Sequence, residues 1–143
     1  MRIKDLMSVD VRTTVASTAA ASALGEMKTL GIHHLVVVEG KDVVGLVSER
    51  DLGGRRGTHA GPGQTVADVM TPNPVTAAPD MTVRRAANLL RGRMIGCLPV
   101  LEGRKLVGIL TISDVLDAVG RGDLGRSEHV LTTFAGRRFV ANR

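Results

Sequence analysis

Two short stretches carry chemistry that residue type and spacing make readable: Ser48-Glu49-Arg50-Asp51 and Thr111-Ile112-Ser113-Asp114. Each sets a hydroxyl three residues ahead of a carboxylate, just after a glycine and two aliphatics, Gly45-Leu46-Val47 and Gly108-Ile109-Leu110. A hydroxyl at a helix N-cap and an acid at N3 exchange hydrogen bonds with each other's backbone N–H, a capping box. The same helix start offers free N–H groups and partial positive charge to an anion such as phosphate. Arg50 adds a forked, permanently charged donor suited to phosphate. Its counterpart is the uncharged Ser113. The first motif is therefore expected to be the better anion site, and the second to suit a less negative ligand or stay empty.

The elements behind these motifs are duplicated. Sliding the chain by 63 residues aligns Ile3–Leu52 with Val66–Val115 without a gap, and 12 of the 50 pairs are identical. Ordinary composition gives about three. Ile3–Met7 and Val66–Met70 read as single helical turns, Thr13–Val15 and Val75–Ala77 as minimal strands. Ala19–Leu30 and Val83–Leu90 have apolar residues at helical spacing. The runs at 35–38 and 97–101 are continuously apolar, as buried strands are. Glu39-Gly40-Lys41-Asp42 and Glu102-Gly103-Arg104-Lys105 are tight polar turns into second strands. Each unit reads β-α-β-β-α, its last helix opened by the hydroxyl–carboxylate motif. A unit of about 50 residues buries little core alone. Two such units are expected to pack sheet to sheet with pseudo-two-fold symmetry, an α/β (α+β) body. The expected divisions are residues 1–54, a Gly/Pro-rich linker at 55–65, residues 66–120, and a basic tail at 121–143.

Composition narrows the function classes. The 143 residues are 43% hydrophobic and 23% charged, with one cysteine, Cys97, and so no intrachain disulfide. No apolar run approaches the roughly 18 residues of a membrane span, and a cytoplasmic location without membrane contact is expected. The net charge of +5 is concentrated at the tail, where five Arg face Asp123 and Glu128. There is no Trp or Tyr, and both Phe lie in the tail. Base stacking on aromatic platforms is thus disfavoured, while the tail could touch nucleic-acid phosphates non-specifically. Its HVLTTF and RFV segments suit a hairpin, a dimer contact or a disordered arm. Adjacent His33 and His34 on a strand point to opposite faces and do not readily chelate one metal, so a polar contact to phosphate or a plain surface role is expected instead. Cys97 reads as a small buried hydrophobe. No nucleotide-hydrolase, zinc-protease, dithiol or serine-hydrolase signature is present.

The duplicated order Met-Ser/Thr, short strand, helix, aliphatic-Pro-Val and Gly-aliphatic-aliphatic-Ser/Thr-x-x-Asp resembles the cystathionine-β-synthase (CBS) domain. Two in tandem resemble the CBS pair, or Bateman module, over residues 3–118. Val36 departs from the pattern where the second copy has Pro99. The resemblance implies a regulatory or sensor protein, not an enzyme, with no catalytic residues, no metal and no catalytic cofactor. Its ligand would be adenosyl: AMP, ADP, ATP or S-adenosylmethionine, in clefts between the repeats. Ser48, Arg50 and Thr111 would then meet phosphate, Ser113 would line the less charged second site, and Asp51 and Asp114 would meet the ribose hydroxyls. Thr13, Thr14, His34, Leu35 and Val36 would wall one adenine, and Thr76, Ala77, Cys97, Leu98 and Pro99 the other. A homodimer through Ala20, Ala23, Leu24 and Met27 with Val83, Ala86, Ala87 and Leu90, and an unidentified regulated protein partner, are also implied. The competing expectation is a structural or interaction protein with vestigial clefts and a nucleic-acid-touching tail.

Overall fold

The computed structural model describes residues 1–53 and 63–123, and the backbone of two short strands at 132–134 and 137–138. A 3-10 turn at Ile3–Asp5 opens the chain. Strand β1 (Thr13–Thr14), helix α1 (Ala20–Leu30), and strands β2 (His34–Glu39) and β3 (Asp42–Ser48) follow. The second unit has helix α2 (Val66–Val69), strand β4 (Thr71–Pro72), helix α3 (Val83–Arg93), strands β5 (Cys97–Glu102) and β6 (Lys105–Thr111), and helix α4 (Ile112–Gly120). Strands β7 (Thr132–Phe134) and β8 (Arg137–Arg138) pair antiparallel, the hairpin among the three expectations for the tail.

Apolar spacing sets each half. Ala20, Ala23 and Met27 bury one stripe of α1 against Leu35, Val37 and Val47. Val83, Ala86 and Leu90 of α3 pack with Leu98, Val100 and Leu110. These are the helix faces expected to meet a second copy. They are instead the cores of their own repeats, because a short sheet has no other apolar cover. Alternation turns Val36 and Pro99 to the opposite sheet faces, yet both are fully buried. Each sheet is thus covered on both sides, as sheets laid face to face require. The hairpins turn at Gly40 (φ 60°) and Gly103 (φ 63°), where L side chains are strained.

Each opening turn belongs to the other repeat. Ile3 is fully buried in the second repeat's core, and Val66 in the first's. Ile3 N–H donates to Met81 O at 2.9 Å, and Lys4 N–H to Pro79 O at 3.0 Å. Sixty-three residues on, Val66 N–H donates to Thr18 O at 2.8 Å and Ala67 N–H to Ala16 O at 3.0 Å. The chain then adds to the other sheet's edge: Thr71 pairs with Leu46 on β3, and Ser8 bridges Ile109 on β6. Gly45 and Gly108 permit this approach. A Cβ at Gly108 would stand 2.6 Å from Met7 Sδ and 3.0 Å from Ser8 O, and Met70 lies likewise over Gly45.

One expected element differs. After Ser48 the described residues make only a turn, with Leu52 N–H bonded to Ser48 O at 3.3 Å and Gly53 at φ 90°. Glycine in that conformation ends a helix rather than extending it. Among the described residues only the second motif opens a full helix.

The exchanged turn gives a stability prediction. Ile3→Ala leaves a hole in a core contributed mainly by residues 77–110. It should cost about 2–5 kcal/mol, the range for truncating a buried Ile. Urea unfolding followed by far-ultraviolet circular dichroism measures this; a loss under 1 kcal/mol would contradict the interlocked core.

Candidate functional site

Both motifs form the capping box their spacing predicts. Thr111 N–H donates to Asp114 Oδ2 at 2.8 Å, and Asp114 N–H donates to Thr111 Oγ1 at 3.2 Å. The corresponding distances at Ser48 and Asp51 are 2.8 and 3.1 Å. The motifs are tied back equivalently: Ile112 N–H donates to Gly96 O at 3.1 Å, and Glu49 N–H to His33 O at 2.9 Å. The boxes bind only Oδ2. Among the described residues Oδ1 of each aspartate has no hydrogen-bond partner. Capping therefore fixes each carboxylate without saturating it.

The second motif lies in a cleft of about 410 Å³ built by both repeats. The size falls in the range of small-molecule sites. Thr111, Ile112, Ser113 and Asp114 form one end, with Ile109 beside them. Ile32, His33 and His34 come from the first repeat, and Ser8, Asp10 and Arg12 from the exchanged N-terminal segment. Gly96 completes the lining. Ile32, Ile109 and Ile112 offer apolar wall, while Arg12, Asp10 and Asp114 bring charge. Arg12 Nη2 sits 3.4 Å from Asp10 Oδ2, both side chains exposed. Val36 N–H donates to Arg12 O at 3.2 Å and fixes that segment beside β2.

His33 precedes β2 rather than lying on it, and both histidines line the same cleft, so the opposite-face expectation does not apply to the pair. His33 Nδ1 lies 2.7 Å from Glu49 Oε2. His34 is half-buried, and burial lowers its pKa below the usual 6.5; nearby His33 lowers it further, and Asp51 pulls the other way.

Of the expected site residues, the cleft gathers His34, Thr111, Ser113 and Asp114. Ser48 and Asp51 are held by their own box, and Arg50 is exposed and outside this cleft. Leu35, Val36, Cys97, Leu98 and Pro99 are fully buried. Their side chains are closed off from solvent, because their strands are covered on both faces. Thr14 is buried and its hydroxyl donates to Thr18 Oγ1 at 3.0 Å; Ala77 is buried, Thr13 exposed and Thr76 half-buried. The sequence reading missed Arg12, Ile32, Ile109 and Gly96. It also assigned an arginine to the first motif alone, whereas Arg12 gives the second motif's cleft one as well. The lead to Arg12 was its place next to β1, but it enters this cleft only because the N-terminal segment crosses to the other repeat.

Duplication, interlock and a cleft shared by both halves define a tandem-repeat module. The chain belongs to the CBS domain family, whose model matches residues 3–52 and 66–121. The CBS domain-containing protein YhcV of Bacillus subtilis is 30% identical over 114 residues, covering 79% of this chain and 81% of that protein. YlbB of the same organism is 32% identical over 117 residues, covering 80% and 79%. Among solved structures, CBSX2 in complex with AMP superposes with a TM-score of 0.74 at 26% identity, covering 84% of this chain and 97% of that one. The CBS domain pair of protein MJ0100, in complex with 5′-methylthioadenosine and S-adenosyl-L-methionine, has a TM-score of 0.74 at 25% identity, covering 85% and 97%. A hexameric CBS-CP12 protein from bloom-forming cyanobacteria gives 0.73 at 28%, covering 83% and 70%. Among the described residues no helix is long and apolar enough to cross a membrane.

Burial pushes the Cys97 thiol up to about 12. The thiolate, not the thiol, attacks disulfide reagents. Native protein at pH 8 should therefore leave Cys97 unmodified by an aromatic disulfide reagent for hours, with one equivalent reacting in denaturant. Rapid native labelling would show the strand opens.

Proposed function

We propose that this protein is a regulatory module that binds an adenosyl ligand in the cleft shared by Arg12, Ile32, Ile109 and Thr111–Asp114. The carrying observation is Asp114: box-fixed, with Oδ1 unpartnered, at the end of a cleft containing an arginine. Asp114 accepts from the ribose hydroxyls. Thr111, Ser113 and Arg12 meet the anionic group, and the three isoleucines flank the base. The AMP of CBSX2 and the adenosyl ligands of MJ0100 support this ligand class. Ser48, Arg50 and Asp51 supply a second site of the same kind. The protein acts as a sensor rather than a catalyst: ligand and a protein partner each favour one state, so each changes the other's affinity reciprocally.

The module works as a homodimer. The earlier candidate helix faces are buried within each repeat, but α4 exposes Leu116 (62%) and Val119 (55%) at helical spacing. That stripe is the contact we assign to a second copy. Wild-type protein should sediment as a dimer at micromolar concentration, and Leu116→Glu should yield monomer; a monomeric wild type rejects the assembly.

Titration calorimetry with AMP, ADP, ATP and S-adenosylmethionine tests the ligand class. At least one should bind, and Asp114→Ala should weaken it tenfold to a hundredfold, the cost of a lost charge-assisted hydrogen bond. No heat from any of the four would overturn the reading. Unchanged affinity in Asp114→Ala would reduce the aspartate to a helix cap.

A further inference from the structure

His34 is a single ring at which both halves of the molecule meet. On β2 it pairs across the hairpin with Ser48, the hydroxyl of the first motif, and it feels the charge of Asp51. It also lines the cleft of Thr111 and Asp114. The imidazole occupies space that a side chain at position 96 would fill: a Cβ on Gly96 would stand 3.0 Å from Nε2 and 3.3 Å from Cε1. Among the described residues neither ring nitrogen has a hydrogen-bond partner. The 63-residue offset maps His34 onto Cys97 and Gly96 onto His33. Cys97 is fully buried, so the arrangement has no counterpart at the twin position.

We infer that His34, admitted by the absent side chain at Gly96, makes the Thr111–Asp114 cleft selective for adenosyl ligands that carry a phosphate. This rests on the adenosyl reading of the cleft and deepens it. An unpartnered ring N–H in a half-buried setting is a donor for a phosphate oxygen, and a protonated ring supplies charge as well.

A proton linkage follows. The charged groups around the ring are His33 just before its strand, Asp51 of the first motif, Asp10 and Arg12 of the crossing segment, and Asp114 at the start of α4. Burial and His33 together outweigh Asp51 and hold the ring neutral at pH 7 when the cleft is empty. A bound phosphate favours the imidazolium and raises its pKa. The complex then binds more protons than its free components wherever the pH lies between the empty and occupied values. Affinity for phosphate ligands rises as pH falls through that window, and the gain stops below the empty-cleft value, where the ring is charged in both states. Adenosine has no phosphate and gains nothing.

Titration calorimetry with AMP and adenosine between pH 5.5 and 8, in two buffers of different ionisation enthalpy, reads the proton uptake. Wild type should take up a fraction of a proton with AMP beyond that of His34→Gln. The ligand's own phosphate ionisation is common to both proteins and cancels in that difference. His34→Gln should weaken AMP about tenfold and leave adenosine within about twofold. Gly96→Ala, which crowds the ring without removing it, should reproduce the AMP loss. Equal proton uptake and equal AMP affinity in wild type and His34→Gln would overturn this inference and leave the cleft reading intact. Binding of S-adenosylmethionine but not AMP would also overturn it alone. Binding of no adenosyl compound by wild type would overturn both.

Discussion

Ile3 and Val66 sit in each other's repeats, and the rest of the architecture is arranged around that exchange. A half of about 50 residues has one helix and a short sheet to enclose its apolar residues, too little surface to exclude water on both faces. The borrowed turn closes one end of each core. The glycines at 45 and 108 let the following segment approach the sheet edge, and the overlying methionines fill the space a side chain would have taken. The two-fold relation is thus enforced by reciprocal insertion and sheet-edge pairing as well as by packed faces.

The cleft is a by-product of the same exchange. Once Ile3 is seated in the second repeat, the chain must travel back to reach β1 in the first. Ser8, Asp10 and Arg12 lie on that return path, alongside the start of α4. The capping aspartate is held because its box is closed, and it lines a cleft that groups from the opposite half also line. A carboxylate that only capped a helix would need no such neighbours. The arrangement lets a ligand in one cleft touch both halves at once, which is the physical requirement for a ligand to shift their relative stability.

Much of this was legible in the residues, for physical reasons that differ by element. The repeat, the hairpin turns at Glu39-Gly40 and Glu102-Gly103, and the core stripes of α1 and α3 depend on local spacing, which sequence records directly. The capping boxes were readable because hydroxyl and carboxylate stand three apart whatever the tertiary context. The exchange of opening turns was not readable: Ile3 offers the same side chain to either repeat, and only the connection geometry decides. Arg12 was missed for that reason. Leu35, Val36, Leu98 and Pro99 lie outside the lining of the second motif's cleft, and their continuous apolar run already signals strands buried on both faces. The first motif opens a turn where a helix was expected, because the glycine at 53 takes a conformation that ends it.

The interlock also bears on how the chain is made. The first repeat lacks Val66 until the segment beyond position 66 has been synthesised, and Ile3 has no core to enter until residues 77–110 exist. Neither half can be completed first, although domains commonly fold from the N-terminus as they emerge. The contacts that finish each core are long-range in sequence, and such contacts form late and slowly. The emerging first repeat therefore waits with an unfinished core and an unplaced N-terminal turn, a state exposed to chaperones and proteases until the last strands are translated.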